Sequence, residues 1–220
     1  MQSGWTSWLQ GDPLMQAVAL LLLAMSLSSW FVIFWKTALL ARSARRVPRA
    51  IAAFWAAPSA AAAAQAAAAA DPDGPAAALA ASCLGLARDP GHAWQAHADR
   101  VRRQLRDSLD DASRRLHAGH VLLASVGSTA PFVGLFGTVW GIEHALLAMA
   151  ASRQLGIAQV AAPVGATLVM TAAGLAVAIP AVLAYNALGK RARALDSQLE
   201  GFALDLQHLL GAAGEQPAQR

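Results

Sequence analysis

PLMQAVALLLLAMSLSSWFVIFW runs from Pro13 to Trp35, 23 residues without one ionisable side chain. The hydrocarbon core of a bilayer takes about 20 apolar residues in a helix, so this stretch is long enough to cross it. Two further stretches share the property. Val121–Ile142 gives 22 residues before Glu143 and His144, and Gln154–Gly189 gives 36 without Asp, Glu, Lys, Arg or His. Each run is continuously apolar rather than alternating, which excludes a barrel and leaves helices as the spanning structure. Three such runs exceed what 220 residues could wrap as a soluble core. The expected fold class is all-α integral membrane, with three transmembrane helices.

Composition agrees. Hydrophobic residues make up 56% of the chain and charged residues 14%, against about 25% charged in soluble domains. The positive residues flank the spans. Lys36, Arg42, Arg45, Arg46 and Arg49 follow the first, Arg100, Arg102, Arg103, Arg106, Arg114 and Arg115 precede the second, and Lys190, Arg191 and Arg193 follow the third. The opposite side holds only Arg153. Positive-inside bias predicts an N-terminus outside, with the long loop and the C-terminal tail in the cytoplasm. The expected division is a periplasmic N-terminus (1–13), a first span (14–36), a cytoplasmic helical loop (37–120), a second span (121–150), a short periplasmic loop (151–157), a third span (158–188) and a cytoplasmic helical tail (189–220). Trp5 and Trp8 are expected as outer interfacial anchors, with Trp35 near the inner boundary. Met1–Pro13 has no Lys or Arg, and Asp12 stands just before the apolar run, so the first span is read as a retained anchor. Cys83 is the one cysteine, which excludes an intrachain disulfide and a thiolate metal cluster.

The loop is alanine-rich over 56–81, where Ala's helix propensity predicts a spacer helix from Ser59 to Ala70 ended by Asp71-Pro-Asp-Gly-Pro75. Beyond it, Val101, Leu105, Leu109, Ala112 and Leu116 form one helical stripe. Only Gly119 interrupts the way to Val121, so the second span is expected to continue a long cytoplasmic helix. Leu188, Ala192, Leu195, Leu199, Phe202, Leu206 and Leu209 alternate spacings of four and three, a heptad seam that extends the third span into a cytoplasmic helical bundle. The seam could meet another chain's helix or pack on the protein's own loop.

Inside the membrane, Gly134, Gly137 and Gly141 crowd the second span, and Gly137 with Gly141 makes a GxxxG pair suited to close helix packing. In the third span Thr167, Thr171, Gly174 and Ala178 share one small, hydroxyl-bearing face. Such a face serves tight packing, with hydroxyls bonded to their own backbone, or it lines a route for water and protons.

Two segments carry a resemblance. Ser125-Val-Gly-Ser-Thr-Ala-Pro-Phe-Val-Gly-Leu-Phe-Gly-Thr-Val-Trp-Gly-Ile142 and Thr171-Ala-Ala-Gly-Leu-Ala-Val-Ala-Ile-Pro-Ala-Val-Leu-Ala-Tyr-Asn186 resemble the ExbB/TolQ family of proton-driven motor subunits, more distantly related to MotA. Met25-Ser-Leu-Ser-Ser-Trp30 is similar as well. The likeness covers roughly residues 14–50 and 98–210 and is most like ExbB, although TolQ fits the same motifs. It implies a bacterial inner-membrane homo-pentamer whose second and third spans line a pore. That pore holds the single-span helices of an ExbD-like partner, and proton flow drives a TonB-like protein that powers outer-membrane import. It also implies that Thr138 and Thr171 line the proton path; Thr167, on the same face as Thr171, is counted with them as a candidate, and Gly134, Gly137, Gly141, Gly174 and Pro180 are expected as helix-packing positions.

One position departs from the family. Members usually carry a glutamate five residues before the third-span threonine, and here Ala166 stands there. Glu143 is the one acidic side chain within the spans, five residues past Thr138. If the two threonines share a depth, Glu143 and Ala166 share another, about 7–8 Å nearer the periplasm. Glu143 could replace the missing carboxylate. It could instead face a neighbour, pair with His144 or sit in the interface, or conduction could be weakened. A TolQ-like role in the Tol–Pal system and a non-conducting scaffold for partner helices are the competing readings. An intramembrane enzyme is not expected. Ser125, Ser128, His117, His120 and His144 suggest the idea, but no GxSG element and no HExxH pair is present. No cofactor, metal or nucleic acid is expected, because the arginines flank spans and lack interleaved aromatics.

Overall fold

The computed structural model describes residues 12–72, 74–87, 94–152 and 157–214. Every described element is a helix: α1 (Pro13–Ala56), α2 (Ala60–Ala70), α3 (Pro75–Ala87), α4 (Trp94–His117), α5 (His120–Ser152) and α6 (Ile157–Gly214). Trp5, Trp8, Arg153 and most of the expected periplasmic segments lie outside the described residues. Three helical segments, starting in α1, α4 and α6, are long and apolar enough to cross a membrane. The chain divides into two compact units. One comprises the residues up to Trp35 and Gly119–Ala187, the other Lys36–Ala118 and the residues from Leu188 onward.

The first unit holds the apolar part of α1, α5 and the apolar part of α6. Its outward faces carry large apolar side chains, with Phe31 and Phe132 about 70% exposed. In water such faces would be untenable; in lipid tails they cost nothing. The expected continuous helix into the second span is divided at its one breaker, Gly119. Its φ is +83°, and a Cβ there would also lie 2.8 Å from Val32 Cγ1. A side chain would be strained twice over, so α4 and α5 are separate helices.

The second unit is built on leucine and aromatic contacts. α1 continues as helix to Ala56, burying Leu40, Val47, Ala50 and Phe54. The expected cytoplasmic helical loop from residue 37 thus begins as a direct continuation of the first span's helix. Pro48 is tolerated at a solvent-exposed position. The stripe on α4 is inside: Val101, Leu105, Ala112 and Leu116 are buried. So is the seam of α6 from Leu188 to Leu206, whereas Leu209 is exposed. The seam packs on its own chain. Phe202 meets Phe54 edge-on at 5.2 Å and Trp55 at 6.5 Å. His117 Nε2 lies 2.6 Å from Asp196 Oδ2, tying α4 to α6.

The alanine tract becomes helix α2, whose N-cap Ser59 accepts the Ala62 N–H. Asp71 ends it and turns the chain: its carbonyl accepts Gly74 N–H at 3.0 Å, and its carboxylate folds back into the turn. That carboxylate lies over Gly74, leaving no room for a Cβ. α2 packs on α3, and α3 on α4.

Candidate functional site

Within the first unit α5 and α6 run antiparallel and touch through small residues. A Cβ at Gly134 would lie 2.5 Å from the Met170 carbonyl oxygen, and one at Gly174 would lie 2.6 Å from that of Ala130. Gly137 faces Met170 and Val18, Gly141 faces Thr167 and Met15, and Gly127 faces Val182. Backbones thus approach where lipid offers no hydrophobic drive, and dispersion contact replaces it. Pro180 is half-buried in α6 on this unit.

The threonines sit in this seam. Thr138 and Thr167 are buried, and Thr171 is half-buried. Most hydroxyls of the spans bond backwards to their own helix. Ser28 donates to the Met25 carbonyl, Ser128 and Thr129 to Ser125, Thr138 to Leu135 and Thr167 to Val164. This satisfies them at little cost. Thr171 differs. Its Oγ1 donates across the helix pair to Thr138 Oγ1 at 3.3 Å. The two threonines therefore form a hydroxyl chain that starts on the half-buried residue and ends on the Leu135 carbonyl.

The register of the seam pairs Gly134 with Gly174, Thr138 with Thr171 and Gly141 with Thr167. Carried on, it brings Glu143 to the level of Ala166, about 7.5 Å beyond the threonine pair at 1.5 Å per residue. Level is not contact. Both residues are exposed on faces turned from the seam, because Glu143 is about 200° around the helix from Gly141. Glu143 Oε2 instead lies 3.0 Å from His144 Nδ1.

His144 belongs to a polar cluster that the sequence did not announce. Its ring lies 4.9 Å from that of Trp140, and its Nε2 is 3.4 Å from Asp12 Oδ2. The Trp140 indole N–H donates to the same oxygen, while Asp12 Oδ1 accepts the Leu14 N–H at 3.0 Å. The Trp140 hydrogen bond, then that of Leu14, then the charge of His144 hold the Asp12 carboxyl below its ordinary range. Asp before Pro at a helix start is a capping signal, and it marks this residue in the sequence; nothing there marks its bond to Trp140. Lys36 was also undervalued as a mere topology charge. It is fully buried, and its Nζ donates to the Arg115 carbonyl at 2.6 Å, in the last turn of α4, where a cation is favoured.

Comparison with known proteins follows this geometry. Residues 73–201 match the MotA/TolQ/ExbB proton channel family. Biopolymer transport protein ExbB of Neisseria gonorrhoeae is 55% identical over 103 residues, 47% of each chain, so that match spans about half the relative's length. Biopolymer transport protein ExbB of Xanthomonas campestris pv. campestris (strain B100) is 38% identical over 204 residues, covering 86% of this chain and 78% of that one. Tol-Pal system protein TolQ of Pseudomonas aeruginosa is 32% identical over 213 residues, covering 94% and 92%. The chain belongs to the MotA/TolQ/ExbB proton channel family.

Proposed function

We propose that this protein is the proton-channel subunit of an inner-membrane energy-transducing motor, ExbB-like in role. In this reading its N-terminus is periplasmic and its C-terminus cytoplasmic. It assembles as a homo-pentamer around the single-span helices of an ExbD-like partner and drives a TonB-like protein. The observation that carries the reading is the Thr171–Thr138 hydroxyl bond across the glycine seam. Packing alone would leave both hydroxyls folded back on their own helices, as their neighbours are.

A threonine hydroxyl neither holds a charge nor titrates near neutrality, so it passes a proton only between an acid and water. Half-buried Thr171 offers the open end of the chain. The acid must come from elsewhere: from a carboxylate on the partner's helix, or from Glu143. The exposure of Glu143 and its bond to His144 favour the partner. Ala166 in place of the family's usual glutamate supports a second reading, a non-conducting pentameric scaffold. The match to TolQ over nearly the whole chain keeps a Tol–Pal role as an alternative assignment of the same channel.

The test is proton flux in liposomes holding this protein with its co-expressed partner, beside Thr171→Ala and Glu143→Gln. Wild-type flux that falls in Thr171→Ala and persists in Glu143→Gln is expected. Flux lost in Glu143→Gln would make that residue the relocated carboxylate. No wild-type flux, where a conventional family member conducts, would establish the scaffold.

A further inference from the structure

The second unit contains a cavity of about 350 Å³ that the channel reading leaves unused. Three arginines line it from two helices. Arg42 and Arg46 are one turn apart on α1, so their side chains leave the same face. Arg115 comes from α4, where the bond from Lys36 Nζ to its carbonyl fixes its backbone against α1. The turn at Asp71 forms the third wall.

Like charges gathered on one cavity repel unless carboxylates sit among them. Two carboxylates belong to the lining, and both are committed elsewhere. Asp111 pairs with Arg114, so those two charges cancel. Asp71 is 3% exposed, and its carboxyl is folded over Gly74 into its own turn. Arg46 acts on that carboxyl through its charge alone. Among the described residues, no carboxylate lies within ion-pair distance of Arg42, Arg46 or Arg115. Three positive charges against the one of Asp71 leave two uncompensated.

The remainder of the lining includes an apolar floor. Ala112 and Leu116 on α4 are buried, and Leu39 on α1 is half-buried. The cavity's volume falls in the range of small-molecule sites, about 300–1,000 Å³. An acid with one charge would leave half of the uncompensated charge unanswered, and a bare ion would leave the floor wet. A phosphate monoester answers both. It carries close to two charges above its second ionisation, and guanidinium groups take its oxygens in pairs. Its organic body covers the leucines.

We propose that this cavity binds a soluble phosphate monoester, with Arg42, Arg46 and Arg115 on the phosphate and the organic body on Leu39 and Leu116. The inference depends neither on proton conduction nor on where the membrane lies. Ligand binding and proton flux therefore fail separately.

Isothermal titration calorimetry tests it on the full chain in detergent, with phenyl phosphate as the probe at about pH 8, where a monoester is a dianion. Phenyl phosphate should bind about tenfold tighter than benzenesulfonate, which has the same ring and a single charge; one charged hydrogen bond is worth about that factor. It should also bind about tenfold tighter than inorganic phosphate, through burial of the ring. Arg42→Gln and Arg115→Gln should each weaken it about tenfold, whereas Arg45→Gln, an exposed arginine off the lining, should leave it unchanged. Benzenesulfonate bound as tightly would overturn the proposal, and so would no binding of phenyl phosphate at millimolar concentration. Inorganic phosphate bound as tightly would reduce the site to adventitious anion contact and overturn it too. These comparisons use the unaltered chain and stand even if a variant fails to fold. Dioleoyl-phosphatidic acid carries the monoester on a lipid and should not displace phenyl phosphate at equal concentration; displacement would assign the cavity to a lipid and overturn the soluble ligand.

Discussion

Gly134 meets the backbone of a neighbouring helix where Phe202 meets two aromatic rings. The contacts stand for two ways of holding helices together in one chain. In the apolar unit no side chain gains by leaving lipid, so stability comes from close approach, and glycine permits it. In the polar unit each large side chain gains by leaving water, and the seam on α6 is leucine and phenylalanine. α6 changes from one regime to the other along its length. Gly174 is pressed against the Ala130 carbonyl, while Gly201 has nothing within 4 Å.

The comparison is sharpest where a large side chain is removed. Phe202→Ala deletes a ring that is 2% exposed and packed on Phe54 and Trp55. The expected loss is about 3–5 kcal/mol, read as a lowered thermal midpoint of the purified protein in detergent. A loss below about 1 kcal/mol, less than one ordinary core deletion, would mean that the aromatic cluster is not the support described. Gly134→Ala comes next. Its methyl would sit 2.5 Å from a main-chain oxygen that cannot rotate away, and overpacking of this kind costs about 1–3 kcal/mol. The same assay should show it. An unchanged midpoint would remove close approach as the first unit's principle.

How far the sequence disclosed these arrangements depended on the kind of signal. The α6 seam was readable because burial of a helical stripe follows its period, and six of its seven positions are inside. Its partner was not, since an amphipathic face does not say what covers it; Phe54 lies some 150 residues earlier in the chain. Helix was expected past Trp35, but not that the first span itself runs on as one helix through Lys36, Arg42, Arg45, Arg46 and Pro48 to Ala56. Arginines on an exposed face do not oppose a helix, and Pro48 is exposed. Thr138 and Thr171 were indicated by a resemblance, but their mutual bond depends on the seam's register, which only packed glycines define.

Two carboxyls, one in each unit, carry the comparison into pH dependence, and with opposite signs. Asp12 is held below its ordinary range, chiefly by Trp140. Its contribution is present above the ordinary carboxyl value, about 4, and is lost as pH falls through the lowered one. Asp71 is pushed up by burial. Its contribution is complete below the ordinary value and is lost as pH rises through the raised one. In lipid-free detergent, Asp71→Asn should therefore remove a decline in thermal stability toward neutral pH. Trp140→Phe should move the Asp12 carboxyl upward in a carbon NMR titration. An Asp71→Asn protein with the wild-type slope above about pH 4 would show that this carboxyl is hydrated in the fold.

The smallest effect has the opposite direction, and it separates the two regimes using one residue type. Gly201 is exposed in helical backbone, and an added Cβ meets no atom within 4 Å. Nothing there uses the absence of a side chain, while the unfolded chain still gains entropy from the glycine. Gly201→Ala should raise stability by about 0.5–1 kcal/mol, against a loss for the same change at Gly134. The pair shares its chemistry, so propensity and unfolded-state effects cancel in the difference. What remains is the contact made by the added methyl. If both substitutions shift the midpoint upward, the backbone approach of α5 and α6 is looser than the Gly134–Gly174 contact requires, and the Thr171–Thr138 bond would lose the register that brings its hydroxyls together.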